Sequence, residues 1–281
     1  MKRDAPDRNL SPPRAGLFSS PLLRWGIASL LVVALGTFLI VTPSGVLSKA
    51  DMVGYAVCHQ IGHHSFALSG RQLPLCARCT GMFLGALVGL FGQAVVLRRG
   101  RASEFPRPAV VVVLIVFLVA WAADGVNSYL ALLGGSHLYA PRNSLRLTTG
   151  ALNGLTVSAL IYPVVNIGLW REPKAEPTLR NLKELGLCLL LAVSLVILIL
   201  SAWDVLLYPL ALGSAAGVLT LLTGVNTVVV LILLRQENTV ETWRQALWPI
   251  SIGVVITLVQ IGVIGLLRYG LTGTLEGLPI L

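Results

Sequence analysis

Seven stretches of this chain are long and apolar enough to cross a bilayer, and that feature decides its fold class. About 20 mostly apolar residues in a helix cover about 30 Å of hydrocarbon. The runs are Leu22–Val41, Thr80–Leu97, Ala109–Leu133, Leu147–Trp170, Leu182–Trp203, Tyr208–Leu234 and Ala246–Leu267. The expectation is an all-α, polytopic transmembrane helical bundle of about seven spans. Only 12% of the residues are charged, against about 25% in a soluble domain. No polar stretch is long enough to form a soluble domain of its own. Pro108 stands at the start of the third run, where its missing N–H costs nothing. Pro163 lies inside the fourth and predicts a kink. Trp25, Trp121, Trp170, Trp203 and Trp248 sit at or near run ends, as interfacial aromatics do.

The first 24 residues are polar, with Pro6, Pro12, Pro13 and five basic residues, and the apolar core of the first run, Trp25 to Val41, follows. A secretory signal also begins with a charged segment and a short apolar core. The leader here is long, the core is about span length, and no clear small-x-small cleavage site follows it. The first run is therefore read as an uncleaved span. The net charge of +9 does not point to nucleic acid, because the basic residues sit in short loops between apolar runs. Basic residues collect on the cytoplasmic side of membrane proteins. With the N-terminus inside, fifteen Lys and Arg fall in inner segments and six in outer ones (Lys49, Arg71, Arg78, Arg142, Arg146 and Arg268). The expected topology is N-terminus in and C-terminus out. The domain reading is a cytoplasmic tail over 1–24, a four-span core over 25–170 and a three-span extension over 171–281.

Gly81, Gly85 and Gly89 recur every fourth residue on the second run, Gly150 and Gly154 on the fourth, and Gly213 and Gly217 on the sixth. This spacing lets helix backbones approach closely in lipid. Packing inside the bundle is the first reading, and a homo-oligomer through these faces is the second.

The segment from about 42 to 79 is the only long connection, and it belongs to the outer side. It contains Cys58-His59-Gln60, His63-His64-Ser65-Phe66 and Leu75-Cys76-Ala77-Arg78-Cys79-Thr80-Gly81. Three of the four cysteines and three of the four histidines fall between Cys58 and Cys79. Thiolate and imidazole are the ligands that zinc and related transition metals take. Cys76 and Cys79 can hold two corners of a tetrahedron and Cys58 a third, with His59 or His63 (or His64) as the fourth. Thiol chemistry is the rival: Cys76 and Cys79 form a Cys-x-x-Cys pair with Arg78 between them to favour thiolate, and Cys58 is a third exchanging thiol. A plain disulfide stapling the loop also accounts for the residues, since outer compartments are oxidising. Cys188, among leucines of the fifth run, reads as a small apolar packing residue.

A second polar group lies on the third and fourth runs. Asp124 falls about 22 Å along its helix at about 1.5 Å per residue, inside the edge of the hydrocarbon, where an ionised carboxylate needs a partner or a wet recess. Asn127 and Ser128 share its face. Arg142 and Arg146, one turn apart at the start of the fourth run, are the expected partners, and Asn143, Ser144, Thr148 and Thr149 accompany them. The simplest reading is an Asp124–Arg146 pair locking two spans. The functional one is a recess for a polar or anionic ligand. Both groups fall on the outer side, so one shared site is geometrically allowed. Asp204, near the outer end of the fifth run, reads as a solvated end residue.

The blocks Cys58-His59-Gln60, Ser65-Phe66, Leu75 to Gly81, Asp124-Gly125 and Arg146-x-x-Thr149-Gly150 resemble a family of prokaryotic membrane proteins, domain of unknown function 2085. The likeness covers about residues 50 to 170. Where that family typically has Arg near Ser65, this chain has His64. The resemblance implies a multi-span membrane fold and marks the motif positions, and it brings no activity with it. Function rests on the residues: a metal-binding membrane protein, a membrane thiol-disulfide oxidoreductase, or a transporter or structural protein using the Asp/Arg cluster. No phosphate loop, Ser/His/Asp set or haem-attachment motif is present, and no substrate is indicated.

Overall fold

The computed structural model describes residues 17–277, so most of the expected cytoplasmic tail, with Lys2, Arg3, Arg8 and Arg14, lies outside the described residues. The fold is all-α. Among the described residues, seven helices are long and apolar enough to cross a membrane: α1 (Pro21–Val41), α3 (Ala77–Phe91, prolonged by a wider π turn over Gly92–Val96), α4 (Pro108–Leu132), α5 (Asn143–Leu169), α6 (Leu182–Leu200), α7 (Leu207–Leu233) and α8 (Trp243–Thr272). An eighth helix, α2 (Val46–Val57), is too short to span. The chain is a multi-pass membrane protein. A lipid-facing exterior follows from the rows of exposed Leu, Val and Ile on α1, α4, α6 and α8.

Local chemistry sets the helix ends. Proline occupies the first turn of α1 and α4, where no N–H is missed. The Asn181 side chain caps α6 through the Glu184 N–H at 3.0 Å. Thr242 and Gln245 form a capping box at α8, satisfying two free N–H groups reciprocally. Gly273, at φ 68°, ends α8 in the left-handed conformation that glycine takes without strain. α5 continues through Pro163.

The bundle is organised about α3 and α5, its closest helix pair. A Cβ on Gly85 would lie 2.6 Å from the Ala151 carbonyl oxygen, and one on Gly154 2.2 Å from that of Met82. The two backbones touch, as small-residue stripes allow in lipid. Gly213 and Gly217 of α7 face Leu84 and Phe83 of α3 in the same way. All three stripes are thus occupied within the chain. α1 is the outlier. It buries one residue, Ile27, and packs on α8.

The two ends of the bundle differ. At one end the parallel strands β3 (Ala102–Glu104) and β4 (Lys174–Pro177) pair. Arg99, 6% exposed, binds Glu176 at 2.7 Å and Glu184 at 2.6 Å. Arg101 lies over the Trp170 ring, 4.1 Å from its centroid, and Arg171 pairs with Glu241.

The other end carries the segment expected as a loop. It is mostly ordered structure: α2, then the antiparallel hairpin of β1 (Ser65–Leu68) and β2 (Arg71–Cys76). α2 has Lys49 and Asp51 among its apolar residues and buries Val53 and Tyr55 against the bundle. At 12 residues and half polar, α2 carries no span-length apolar signal. Asp204 is exposed, as expected of an end residue, and its carboxylate accepts the Ser69 N–H of the hairpin turn at 2.8 Å.

Candidate functional site

Cys58, Cys76 and Cys79 come from three pieces of backbone that meet above α3. Cys58 ends α2 and turns extended, with φ −138° and ψ 143°. Cys76 ends β2 and is the N-cap of α3, and Cys79 lies in the first turn of α3. Their sulfur atoms all lie within 4.8 Å of one another, and no disulfide joins them. Cys58 and Cys76 are 5% and 2% exposed, and both sit on the apolar core formed by Val53, Leu75, Phe83, Val218 and Ile261.

Close packing brings them together. α2 approaches β2 so tightly that a Cβ on Gly54 would fall 2.0 Å from the Pro74 carbonyl oxygen. Gln60 then ties the turn after Cys58 in place, donating to the Asp51 carbonyl at 3.0 Å and the Pro74 carbonyl at 2.9 Å. Its backbone is left-handed, at φ 52°, a conformation that a non-glycine residue keeps only where its surroundings enforce it. Arg268 of α8 closes the other side, donating to the carbonyls of Tyr55 (2.6 Å), Cys58 (2.5 Å) and His59 (3.2 Å), with its guanidinium 4.0 Å from the centre of the Tyr55 ring.

The environment favours one thiolate among three sulfurs. The Cys58 thiol is held well below its ordinary range, chiefly by the hydrogen bond from the Cys76 thiol and then by that from Cys79. The Cys76 backbone N–H also donates to its sulfur, at 3.2 Å. The same thiol–thiol bond pushes Cys76 upward. An α-helix N-terminus beside the cluster adds a favourable dipole for negative charge.

Neither His59 nor His63 is a member of the sulfur group. The Nδ1 atom of His59 accepts the Ile61 N–H at 3.0 Å. The three histidines stack edge to face instead, with centroids 4.0 Å apart for His63–His64 and 5.6 Å for His59–His64. Burial, aided by Arg146, lowers the pKa of His64 to about 4.

The second polar group assembles with a different cation from the one expected. Asp124 pairs with Arg78, the residue between the two cysteines of the Cys-x-x-Cys pair, at 2.5 Å. Arg78 also donates to Ser128 Oγ at 3.0 Å, the Tyr139 hydroxyl donates to Asp124 at 3.0 Å, and the Thr149 hydroxyl reaches it at 3.5 Å. Arg146 instead binds the Asn143 side chain at 2.9 Å. The expected Asp124–Arg146 lock is therefore replaced by Asp124–Arg78, because the first turn of α3 places Arg78 against α4. Arg78 is thus aimed at Asp124, where its charge is neutralised, and not at the thiols. Asn127 organises the connection that follows α4, accepting the Leu138 N–H at 2.7 Å and donating to the Tyr139 carbonyl at 2.9 Å. Arg142 lines an open recess near His64. Cys188 packs below, against Gly92.

The motif residues now have physical reasons. Thr80 donates to the Leu75 carbonyl at 3.1 Å. A Cβ on Gly150 would lie 2.3 Å from the Arg78 carbonyl oxygen, whereas one on Gly125 would make only an ordinary contact, 3.8 Å from Arg78 Nη1. Cysteines, Arg78, Asp124-Gly125 and Thr149-Gly150 are one joint between α3, α4 and α5. Residues 58–160, which contain this joint, match the family model described as a predicted membrane protein, DUF2085. That segment is similar to the DUF2085 family. A curated relative, the uncharacterized protein MJ1492 of Methanocaldococcus jannaschii, is 32% identical over 108 residues, covering 38% of this chain and 63% of the relative. No solved structure matches the chain. α6, α7 and α8 lie beyond the DUF2085 match, yet α8 supplies Arg268 to the cysteine-bearing turn.

Proposed function

We propose that the thiol cluster is a transition-metal centre, zinc being the metal its donors suit, with Cys58, Cys76 and Cys79 as thiolate ligands and the fourth position open to water or an exogenous ligand. The observation that carries this is the convergence of three unlinked sulfurs within 4.8 Å from three separate backbone segments. Tetrahedral bonds of about 2.3 Å put sulfurs about 3.8 Å apart, so the cluster needs little adjustment to close on an ion. A bound zinc would supply Lewis acidity at that open position. The chain's own part is to hold the sulfurs: Gly54 permits the approach of α2 to β2, Gln60 fixes the turn, and Arg268 clamps the carbonyls behind Cys58.

The charge asymmetry supports a topology with this end outside the cytoplasm, the N-terminus in and the C-terminus out. On that topology residues 25–170 are the motif-bearing core, and 171–281 are an extension that buttresses it. The test is elemental analysis of detergent-purified protein beside a count of free thiols. About one metal per chain is expected, lost in Cys76→Ser. Folded, metal-free protein with three alkylatable thiols overturns the reading.

A second reading has one observation of its own. Cys76 and Cys79 form a Cys-x-x-Cys pair at the N-terminus of a helix, with the Cys58 sulfur, the one favoured as thiolate, within 4.8 Å as the attacking group. Thiol–disulfide exchange there would leave a trapped mixed disulfide in Cys79→Ser and a redox-dependent gel shift in the parent. An inert pair across oxidants and reductants excludes it.

A further inference from the structure

A recess of about 580 Å³ opens at the cluster end, between the last turn of α4, the turn carrying His63 and His64, and the start of α5. It is lined by two arginines that lack an acidic partner. Arg142 is the residue before α5, and among the described residues its guanidinium enters no ion pair. Arg146, one turn on, is 6% exposed, and its guanidinium bonds to the neutral Asn143 side chain. Asp124, the buried carboxylate of this end, is committed to Arg78 and Tyr139. A cation this buried without an anion is costly, and here it borders open space.

The N-terminus of the 27-residue α5 opens at the same place, adding free N–H groups and the positive end of its dipole. The opposite wall is apolar. Ala131 and Leu132 line it, and Leu132 stays 43% exposed at the end of a lipid-facing helix. A guanidinium fork suits the oxygens of a carboxylate or a phosphate, and two forks together match the greater charge and the extra oxygens of a phosphate. The volume exceeds what a bare phosphate fills, and the apolar wall offers contact to a carbon skeleton.

The geometry points to a binding site for an organic phosphate, its oxyanion held by Arg142 and Arg146 and its carbon part lying against Leu132. A phospholipid headgroup and a soluble phosphate monoester present this same chemistry. None of the three thiols lines this recess.

The experiment titrates detergent-purified full-length protein with dihexanoyl phosphatidylglycerol and, separately, with glycerol 3-phosphate, following heat of binding. Saturable binding is expected for at least one probe, weakened roughly tenfold or more in Arg142→Gln, the loss typical of a charge-assisted pair. Arg142 forms no bond that folding needs, so the variant should keep the parent's melting temperature and thiol count. Tighter binding of the lipid identifies a headgroup as the source, and binding of glycerol 3-phosphate alone identifies a soluble ester. Arg98→Gln, an exposed change at the opposite end, should bind as the parent does. The proposal is overturned if neither probe saturates, if Arg142→Gln binds like the parent, or if Arg98→Gln loses as much as Arg142→Gln.

Discussion

Asp124 and Arg78 show how one ion pair can hold three helices. The Asp124 side chain is 2% exposed and that of Arg78 22%, so removing either partner strands the other in low dielectric. Breaking a buried pair costs about 3–5 kcal/mol, whereas replacing both partners with apolar groups is often near neutral. Asp124→Asn is therefore expected to lower unfolding free energy by about 3 kcal/mol or more. Arg78→Met with Asp124→Leu should recover most of the loss. Denaturant titration in detergent micelles reads both, and equal destabilisation by the single and double variants would disprove the pairing argument. His64 makes a second residue-scale prediction. Its folded pKa, about 4, lies below its ordinary 6.5. The unfolded chain thus takes up the proton first as pH falls, and stability declines between about pH 6.5 and about pH 4. His64→Gln should flatten the slope of melting temperature over that window, and an unchanged slope would rule His64 out as its source. The Arg78 contact was not legible in the sequence. Its partner is 46 residues away, and only the fold brings the two helices together. Helical spacing offered the local pair Arg142 and Arg146 instead.

Among elements, the α3–α5 contact is the one on which the rest of the bundle leans. Gly154 admits no side chain, because a Cβ there meets the Met82 carbonyl at 2.2 Å. Gly154→Val should drive the helices apart and cost about 3 kcal/mol or more, the upper end of overpacking penalties. Gly186 of α6 has nothing within 4 Å of its Cβ position, and Gly186→Ala should be silent. Monodispersity on size exclusion and melting temperature separate the two outcomes, and a well-behaved Gly154→Val would mean that the helices are not in backbone contact. Span boundaries were legible to within a few residues for most helices, because partition into lipid depends on local composition. α8 runs past its apolar core at both ends, held by a capping box and a glycine stop. α2 and the hairpin escaped the same reading because Lys49, Asp51 and Arg71 dilute their apolar content. The gathering of three thiols was legible, since cysteine is rare elsewhere in the chain. The part played by Arg268 was not, because it lies 210 residues from the carbonyl it binds.

For the molecule as a whole, the cysteine cluster, the Asp124 joint and the arginine recess all collect at one end. The opposite end is closed by β3, β4 and the Arg99 ion pairs. If basic-residue bias governs orientation, Ser136→Cys, in the connection between α4 and α5, should react with an impermeant maleimide in intact cells. Gly100→Cys, at the closed end, should react only after lysis. The reverse pattern would invert the topology and move every proposed site to the cytoplasm.

The clamp from α8 also sets a schedule. A ribosome adding about 5–20 residues each second delivers Arg268 about 10–40 s after the carbonyl it will grip. Until α8 is in place, the carbonyls of Tyr55, Cys58 and His59 lack the guanidinium that holds them, so the turn carrying Cys58 gains its full support only when that helix packs.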